Sequence, residues 1–301
     1  MSPGAGSKTM GKRPETVGGR PETVGGRSSG LPVASVGDNC VDRYVGAVTG
    51  RYAGGNALNV AVRLALAGHP SAYLGAVGDD EDGRFILAAL RSAGVDASHT
   101  EVRGGPSGVT VVRVEGGERT FVSEKYGVAA SYCFVPEALG FLEDRAWVHA
   151  ARLSGAPRAL AVLADRGVPL SYDFTDHWDK DAAVALCPRL QAAFFSGSSL
   201  DEGAARRLAE QAVARGARVG VVMRGARGVV ASFGGHQVAR AAEPVAVVDT
   251  LGAGDAFIAA FIACLLRGGE VDEALGCGAR DAAESCTHVG GWRLPEEVAR
   301  S

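Results

Sequence analysis

The sequence predicts an α/β protein, with a mainly parallel central sheet, helices on both of its faces, and a smaller β-sheet beside it. Short apolar strands alternate with helical stretches from residue 32 onward, the pattern of parallel strands joined by crossover helices. Two β-rich stretches, Val41 to Arg51 and Gly108 to Ser123, break that alternation and pair more naturally with each other than with the main sheet. Glycine is abundant, 43 of 301 residues, about double the usual share of roughly 7%. Glycines at strand-to-helix junctions suit phosphate handling.

The elements follow in order. Pro32 to Gly37 is the first strand and stops at Gly37-Asp38-Asn39. Val41 to Arg51 alternates as a short hairpin. After Gly54-Gly55-Asn56, residues Ala57 to Ala67 have helical apolar spacing, ended by Gly68. Ser71 to Val77 is a strand, and Asp82 to Ala93 a helix closed by Gly94. Gly108 to Val114 and Arg119 to Ser123 are joined by Glu115-Gly-Gly-Glu118, a hairpin signal. Strands then recur at 146–150, 169–174, 192–196 and 219–223, with helices at 156–166 and 201–215. Val229 to Phe233 and His236 to Ala239 flank a tight Gly234-Gly235 turn, and Ala256 to Leu266 and Val271 to Thr287 are the last strong helices.

Composition excludes several classes. Net charge is -3, so no basic field gathers nucleic acid or an anionic membrane surface. No apolar run reaches the length of a membrane span. The six cysteines form no C-x-x-C pair, which favours reduced thiols in a cytoplasmic protein over a disulfide scaffold or a structural zinc site. Residues 1–30 contain Arg-Pro-Glu-Thr-Val-Gly-Gly twice in succession, at 13–19 and 20–26. Such a segment buries too little surface to offset chain entropy, and it reads as a disordered tail outside the fold.

Most of the chemistry lies in Val247-Val-Asp-Thr-Leu-Gly-Ala-Gly-Asp255 and the long apolar helix after it. Gly252, Ala253 and Gly254 leave backbone N–H groups bare at a helix N-terminus, an anion site suited to a phosphoryl group. A carboxylate beside bound phosphate makes little sense for simple binding. Asp255 makes sense as the base that takes a proton from an attacking hydroxyl; the plain alternative is a helix-capping Asp.

Asp249-Thr-Leu-Gly-Ala-Gly-Asp255 resembles the D-T-x-G-A-G-D signature of the ribokinase-like (PfkB) carbohydrate kinases. Gly54-Gly55-Asn56 with Asn59 resembles that family's G-G-N-x-x-N element, and Gly37-Asp38 stands at the end of the first strand as in the family. The likeness covers about 32–292. Within the family, Gly37 to Asp42, Gly54 to Val62, Asp173-Phe-Thr-Asp-His-Trp-Asp179 and His288-Val-Gly-Gly-Trp292 resemble the fructoselysine 6-kinases. Thr175 and His177 stand where many other members have Asn and Arg.

The resemblance implies a ribokinase-like kinase domain over 31–301, with a lid from about 41–53 and 107–124 that closes over a small-molecule sugar and doubles as a homodimer contact. It implies ATP and Mg2+ as co-reactants and, in many members, K+. Asp255 and the amides of Gly252, Ala253 and Gly254 would be catalytic. Asp38, Gly54, Gly55, Asn56 and Asn59 would bind the sugar; for Asp38 the alternative is a turn residue, and for Asn56 a helix cap. Arg224, Gly225, Gly228, Thr250 and His288 would face the nucleotide, although Met223 or Arg224 replaces the Thr usual in that loop and its arginines also suit a solvated turn. Asp249 would lie at the K+ site, and Asp201 in the water shell of Mg2+. For a fructosamine, Asp42, Asp176, Asp179 and Arg113 are placed to meet the amine and amino-acid end. His177 is either a ligand or a plain loop residue. The expected reaction is ATP-dependent phosphorylation of a primary hydroxyl, at O6 of fructoselysine or a related fructosamine. The alternatives are another sugar or nucleoside kinase of this fold, or a catalytically weak sugar-binding regulator.

Overall fold

The computed structural model describes residues 1, 30–115, 118–133, 136–151, 157–176 and 180–295. The repeated tail and the His177 to Asp179 end of the discriminating segment lie outside them. The chain runs β1 (Val33–Val36), β2 (Cys40–Gly46), β3 (Gly50–Gly54), α1 (Asn56–Leu66), β4 (Ser71–Leu74), β5 (Ala76–Gly78), α2 (Glu81–Ser92), β6 (Glu101–Arg103), β7 (Val109–Glu115) and β8 (Glu118–Lys125). It continues with α3 (Pro136–Glu143), β9 (Trp147–Ala151), α4 (Pro157–Asp165), β10 (Leu170–Asp173), α5 (Lys180–Leu186), β11 (Leu190–Ser196), α6 (Glu202–Ala214) and β12 (Val219–Met223). The last elements are β13 (Val229–Phe233), β14 (His236–Arg240), α7 (Ala253–Leu266) and α8 (Val271–Ser285).

Eight strands form the central sheet in the order β14-β13-β12-β11-β10-β9-β1-β4. Every pair from β12 to β4 is parallel, and β13 and β14 extend the sheet antiparallel. The fold class expected from the sequence is the one found. One face packs against α3 to α6 through Leu142, Leu160, Leu163, Leu186 and Ala209. The other packs against α1, α7 and α8 through Leu64, Phe257, Phe261 and Leu275. Fully burying a Leu or Phe side chain stabilises by about 1.5–3 kcal/mol. The apolar surround of α7, buried from Ala256 to Cys264, is explained by its place between the sheet and α8.

The second sheet has the order β3-β2-β7-β8. Its two hairpins join through a parallel β2–β7 pairing, Val41 opposite Val109, so the two β-rich stretches do pair with each other. The Gly234-Gly235 turn has φ of 54 and 78 degrees, the left-handed backbone that a two-residue hairpin with native twist requires. No helix among the described residues is long and apolar enough to cross a membrane.

Several elements differ from expectation. The strand read over Ser71 to Val77 is two strands, broken at Gly75, and β5 leaves the central sheet to pair with β6. A Cβ at Gly75 would lie 2.1 Å from Tyr73 Oη and 2.6 Å from the Gly37 carbonyl, so the backbone crosses here only because no side chain is present. The short helices α3 and α5 were not anticipated. Eight and seven residues span about two turns, too few for a helical period to stand out.

Candidate active site

The turn before α7 is built by its own backbone. Gly252 has φ 75 and ψ 3 degrees, left-handed, so the chain reverses there and the helix starts one residue later. Ala253 N–H donates to the Thr250 carbonyl at 3.3 Å. It is therefore not bare, a correction to the expected trio of free amides. Among the described residues, the amides of Gly252, Gly254 and Asp255 have no acceptor within the chain. Three N–H groups at the positive end of a long helix remain for an anion.

Asp255 is half-buried in the first turn of α7, and its Oδ2 accepts from Asn59 Nδ2 at 2.7 Å. Removal from water pushes its pKa up to about 8; Asp173 and Asp38 add to the rise, while the Asn59 hydrogen bond and Arg63 oppose it. A carboxyl near 8 is a poised proton acceptor.

Helix α1 presents Asn56, Asn59 and Arg63 along one face, the i, i+3, i+7 spacing of a helical stripe. Asn56 does not cap the helix. Its Nδ2 donates to Asp173 Oδ2 at 2.5 Å, and its Oδ1 meets His149 Nε2 at 3.4 Å. The cap comes from Asp38, at the end of β1, whose carboxylate accepts the Asn56 amide at 2.9 Å and the Ala57 amide at 3.3 Å. Asp38 thus fixes the start of α1 and still faces the cluster. Burial raises the pKa of Asp38, and pushes that of Asp173 up to about 6. His149 is fully buried, and desolvation lowers it to about 3, so its ring is neutral.

Gly54 and Gly55 are closed on by protein as well. A Cβ at Gly54 would lie 2.0 Å from Asp42 Oδ2, and one at Gly55 2.5 Å from Asn39 Cα. Asp42 is buried, Asp176 and Arg113 are exposed, and Asp179 lies outside the described residues.

The four-stranded sheet and the segment 288–292 converge on Asp249. This buried carboxylate accepts three donors: the Tyr44 hydroxyl from β2, the Gly290 amide at 3.0 Å, and the Leu251 amide at 3.0 Å. Arg63 Nε donates to the Gly291 carbonyl at 2.9 Å, and Trp292 Nε1 to the Ala53 carbonyl at 3.1 Å. Three successive residues are therefore tied to the turn, to α1 and to β3. No group of three or more His, Cys, Asp or Glu side chains among the described residues is placed to hold a metal ion. One donor lies on Oδ1 and two on Oδ2, so the Asp249 side chain braces the turn.

A cleft of about 580 Å³ lies beside the turn, lined by Met223, Gly225, Gly228, Phe257, Ala279 and Ala283 among others, and it reaches Thr250, Ala253 and Gly254. Its mainly apolar wall with a few polar groups suits a base and ribose, and its Ala253-Gly254 end suits phosphates. Gly225, Gly228 and Thr250 line it as expected. Arg224 does not: its side chain is buried, and its guanidinium lies 3.7 Å from Glu202. Asp201 caps α6 by accepting the Ala204 amide at 2.7 Å, and is absent from the cleft wall. Its carboxylate does not fit a metal-water shell in the cleft. His288 is partly buried, and neither ring nitrogen has a partner among the described residues; burial lowers its pKa.

Arg63, Asp173, His149 and Tyr44 were not assigned roles from sequence. Arg63 was readable, since it continues the stripe of Asn56 and Asn59. The others depend on strand register: Ser171 stands opposite His149, which puts Asp173 two residues further, beside Asn56.

The high pKa of Asp255 has two measurable consequences. If its base form is required, kcat/KM rises with pH and levels off above about 8, because this ratio reports the free enzyme. An unfolded Asp releases its proton near 3.9, whereas the folded one keeps it to about 8. Between those values the folded state holds the extra proton, so stability falls as pH rises. Asp255→Asn should therefore gain in Tm on the wild type between pH 5 and pH 8. A Tm difference that does not change with pH would contradict the assignment.

A family model described as pfkB family carbohydrate kinase matches residues 41–154 and 181–297. Fructoselysine 6-kinase of Shigella flexneri is 36% identical over 260 residues, 86% of this chain and 99% of that protein. Fructosamine kinase FrlD of Bacillus subtilis (strain 168) is 35% identical over 266 residues, 87% of this chain and 93% of that one. Among solved structures, a putative ribokinase II in complex with ATP and Mg2+ from E. coli superposes with a TM-score of 0.73 at 21% identity, covering 89% of this chain and 96% of that one.

Proposed function

Since the chain belongs to the pfkB family of carbohydrate kinases, phosphotransferases that act on a sugar hydroxyl at the expense of ATP, we propose that its acceptor is fructoselysine or a related fructosamine, phosphorylated at the primary 6-hydroxyl. The observation that carries this reading is Asp255: a carboxyl with a raised pKa, held by Asn59, within one helical turn of three unpaired amides at the end of a nucleotide-sized cleft.

The sugar lies between the start of α1 and the four-stranded sheet, near Asp38, Asn56, Asn59 and Asp173. Asp255 orients the acceptor hydroxyl and takes its proton as the oxygen attacks the γ-phosphorus in line. The amides of Gly252, Gly254 and Asp255 receive the charge that develops on the transferred group. Mg2+, arriving with the nucleotide, would supply neutralising charge there. The four-stranded sheet acts as a lid that keeps water, a competing acceptor, away from the phosphorus. The lid also suits a second copy of the chain, because its edge strand β8 exposes Phe121 and Val122.

Charge supports a fructosamine. Asp38, Asp173 and Asp255 are close enough that each raises the next; Arg63 opposes this at Asp255, and the pair Asp38 and Asp173 favours a further cation beside it. A protonated secondary amine supplies one, whereas fructose does not. A hydrogen bond to a charged group contributes enough for about a 10- to 100-fold preference. ADP release measured over fructoselysine, fructose, ribose and a nucleoside should show kcat/KM highest for fructoselysine by about that factor. Equal or better turnover of fructose or a nucleoside would overturn the acceptor, and turnover of none would favour a sugar-binding regulator.

A further inference from the structure

We propose that Tyr44 is a positioning residue for phosphoryl transfer: its hydroxyl, delivered from the lid strand β2 to Asp249, sets the anion-binding turn in its working shape only while the lid is down. Tyr44 is buried, and its ring meets Tyr52 edge-on at 5.2 Å. Around it the inner face of the lid packs Val112 and Val114 against Leu251, in the turn, and Val289. The hydroxyl donates to Asp249 Oδ2, the oxygen that also accepts the Gly290 amide. The other oxygen holds the Leu251 amide, immediately before Gly252.

A displacement of β2 therefore removes a donor from a buried carboxylate. Such a carboxylate tolerates the loss of a donor poorly and shifts or recruits water. Either response moves Leu251 and Gly290, and Gly291 packs directly on Gly252, where a Cβ would lie 2.5 Å from Gly291 Cα. The free amides of Gly252, Gly254 and Asp255 move with that turn. Closing the lid over the acceptor and shaping the anion site are thus one event, joined through the phenolic hydrogen bond and the apolar packing around it.

The inference rests on the reading of 252–255 as the anion site, and the experiment separates the two. Tyr44→Phe keeps the ring and removes only the hydroxyl. Its kcat should fall about 10- to 100-fold, with KM for ATP within about twofold of wild type, because the apolar part of the cleft wall, from Met223 to Phe257, is away from the turn and keeps its shape. Asp249→Asn should fall by a similar factor, and the double variant should be no worse than the poorer single one, as expected for two groups acting through one contact. Activity is expressed per site competent to bind ADP, so that a loss of folded protein does not count as a loss of rate. If Tyr44→Phe keeps kcat within twofold, or if the losses multiply in the double variant, Tyr44 is only a packing residue. If Tyr44→Phe behaves as expected while Asp255→Asn stays active, the fault lies in the assignment of the base and not in the coupling.

Discussion

Asp255→Asn should abolish nearly all turnover, lowering kcat by roughly three to four orders of magnitude, while acceptor affinity changes only a few-fold. The substitution is close to isosteric, and an amide oxygen still accepts the 2.7 Å hydrogen bond from Asn59. What it removes is the ability to take a proton. The three free amides are untouched, so residual catalysis over solution remains and complete loss is not expected. Calorimetry with the acceptor should find binding preserved, since Asp38, Asn56 and Asp173 are in place. Near-normal kcat in this variant would show that the proton leaves by another route and that the carboxylate serves only as a helix-end residue.

Gly252→Ala should be the most damaging change at a position with no side-chain chemistry, lowering kcat by about 100- to 1000-fold, because loss or misplacement of one such donor costs about that much. Two separate costs meet there. The left-handed backbone, φ 75 degrees, disfavours any residue with a Cβ by about 1–2 kcal/mol. The added atom would also lie 2.5 Å from Gly291 Cα and 3.2 Å from its carbonyl oxygen. Both are backbone atoms that cannot rotate away, so the turn itself must move and Tm should fall. Gly254→Ala provides the contrast. Its φ is ordinary and the nearest atom to its Cβ is Met223 Cε at 3.6 Å, so Tm should hold. Matching Tm losses at both positions would show that the packing of 291 on 252 does not constrain the turn.

Much of this was legible in the chain, for particular reasons. The strand-helix alternation and the Gly234-Gly235 hairpin are local patterns, set by periodicity and by backbone freedom, and they appear where expected. The anion site was legible because a strand end, small residues and an apolar helix follow one another within twenty residues. Several contacts were not legible, because they join residues far apart in the chain. Tyr44 and Asp249 are 205 positions apart, Asn56 and Asp173 are 117, and only the tertiary fold brings them together. Arg224 misled for a different reason. A basic residue in a glycine-rich loop suggests phosphate, but Glu202, on the neighbouring α6, claims it. Gly75 shows the same limit, since its Gly-specific demand comes from Tyr73 Oη and the Gly37 carbonyl and not from a turn of its own.

The segment Val289 to Trp292, held by Asp249, Arg63 and Ala53, follows in the chain every element that it joins. A ribosome therefore releases the eight central strands, the lid and the catalytic helix before it releases the stitches that bind them into one machine. The scaffold is free to fold as it emerges, but competence waits for those last knots.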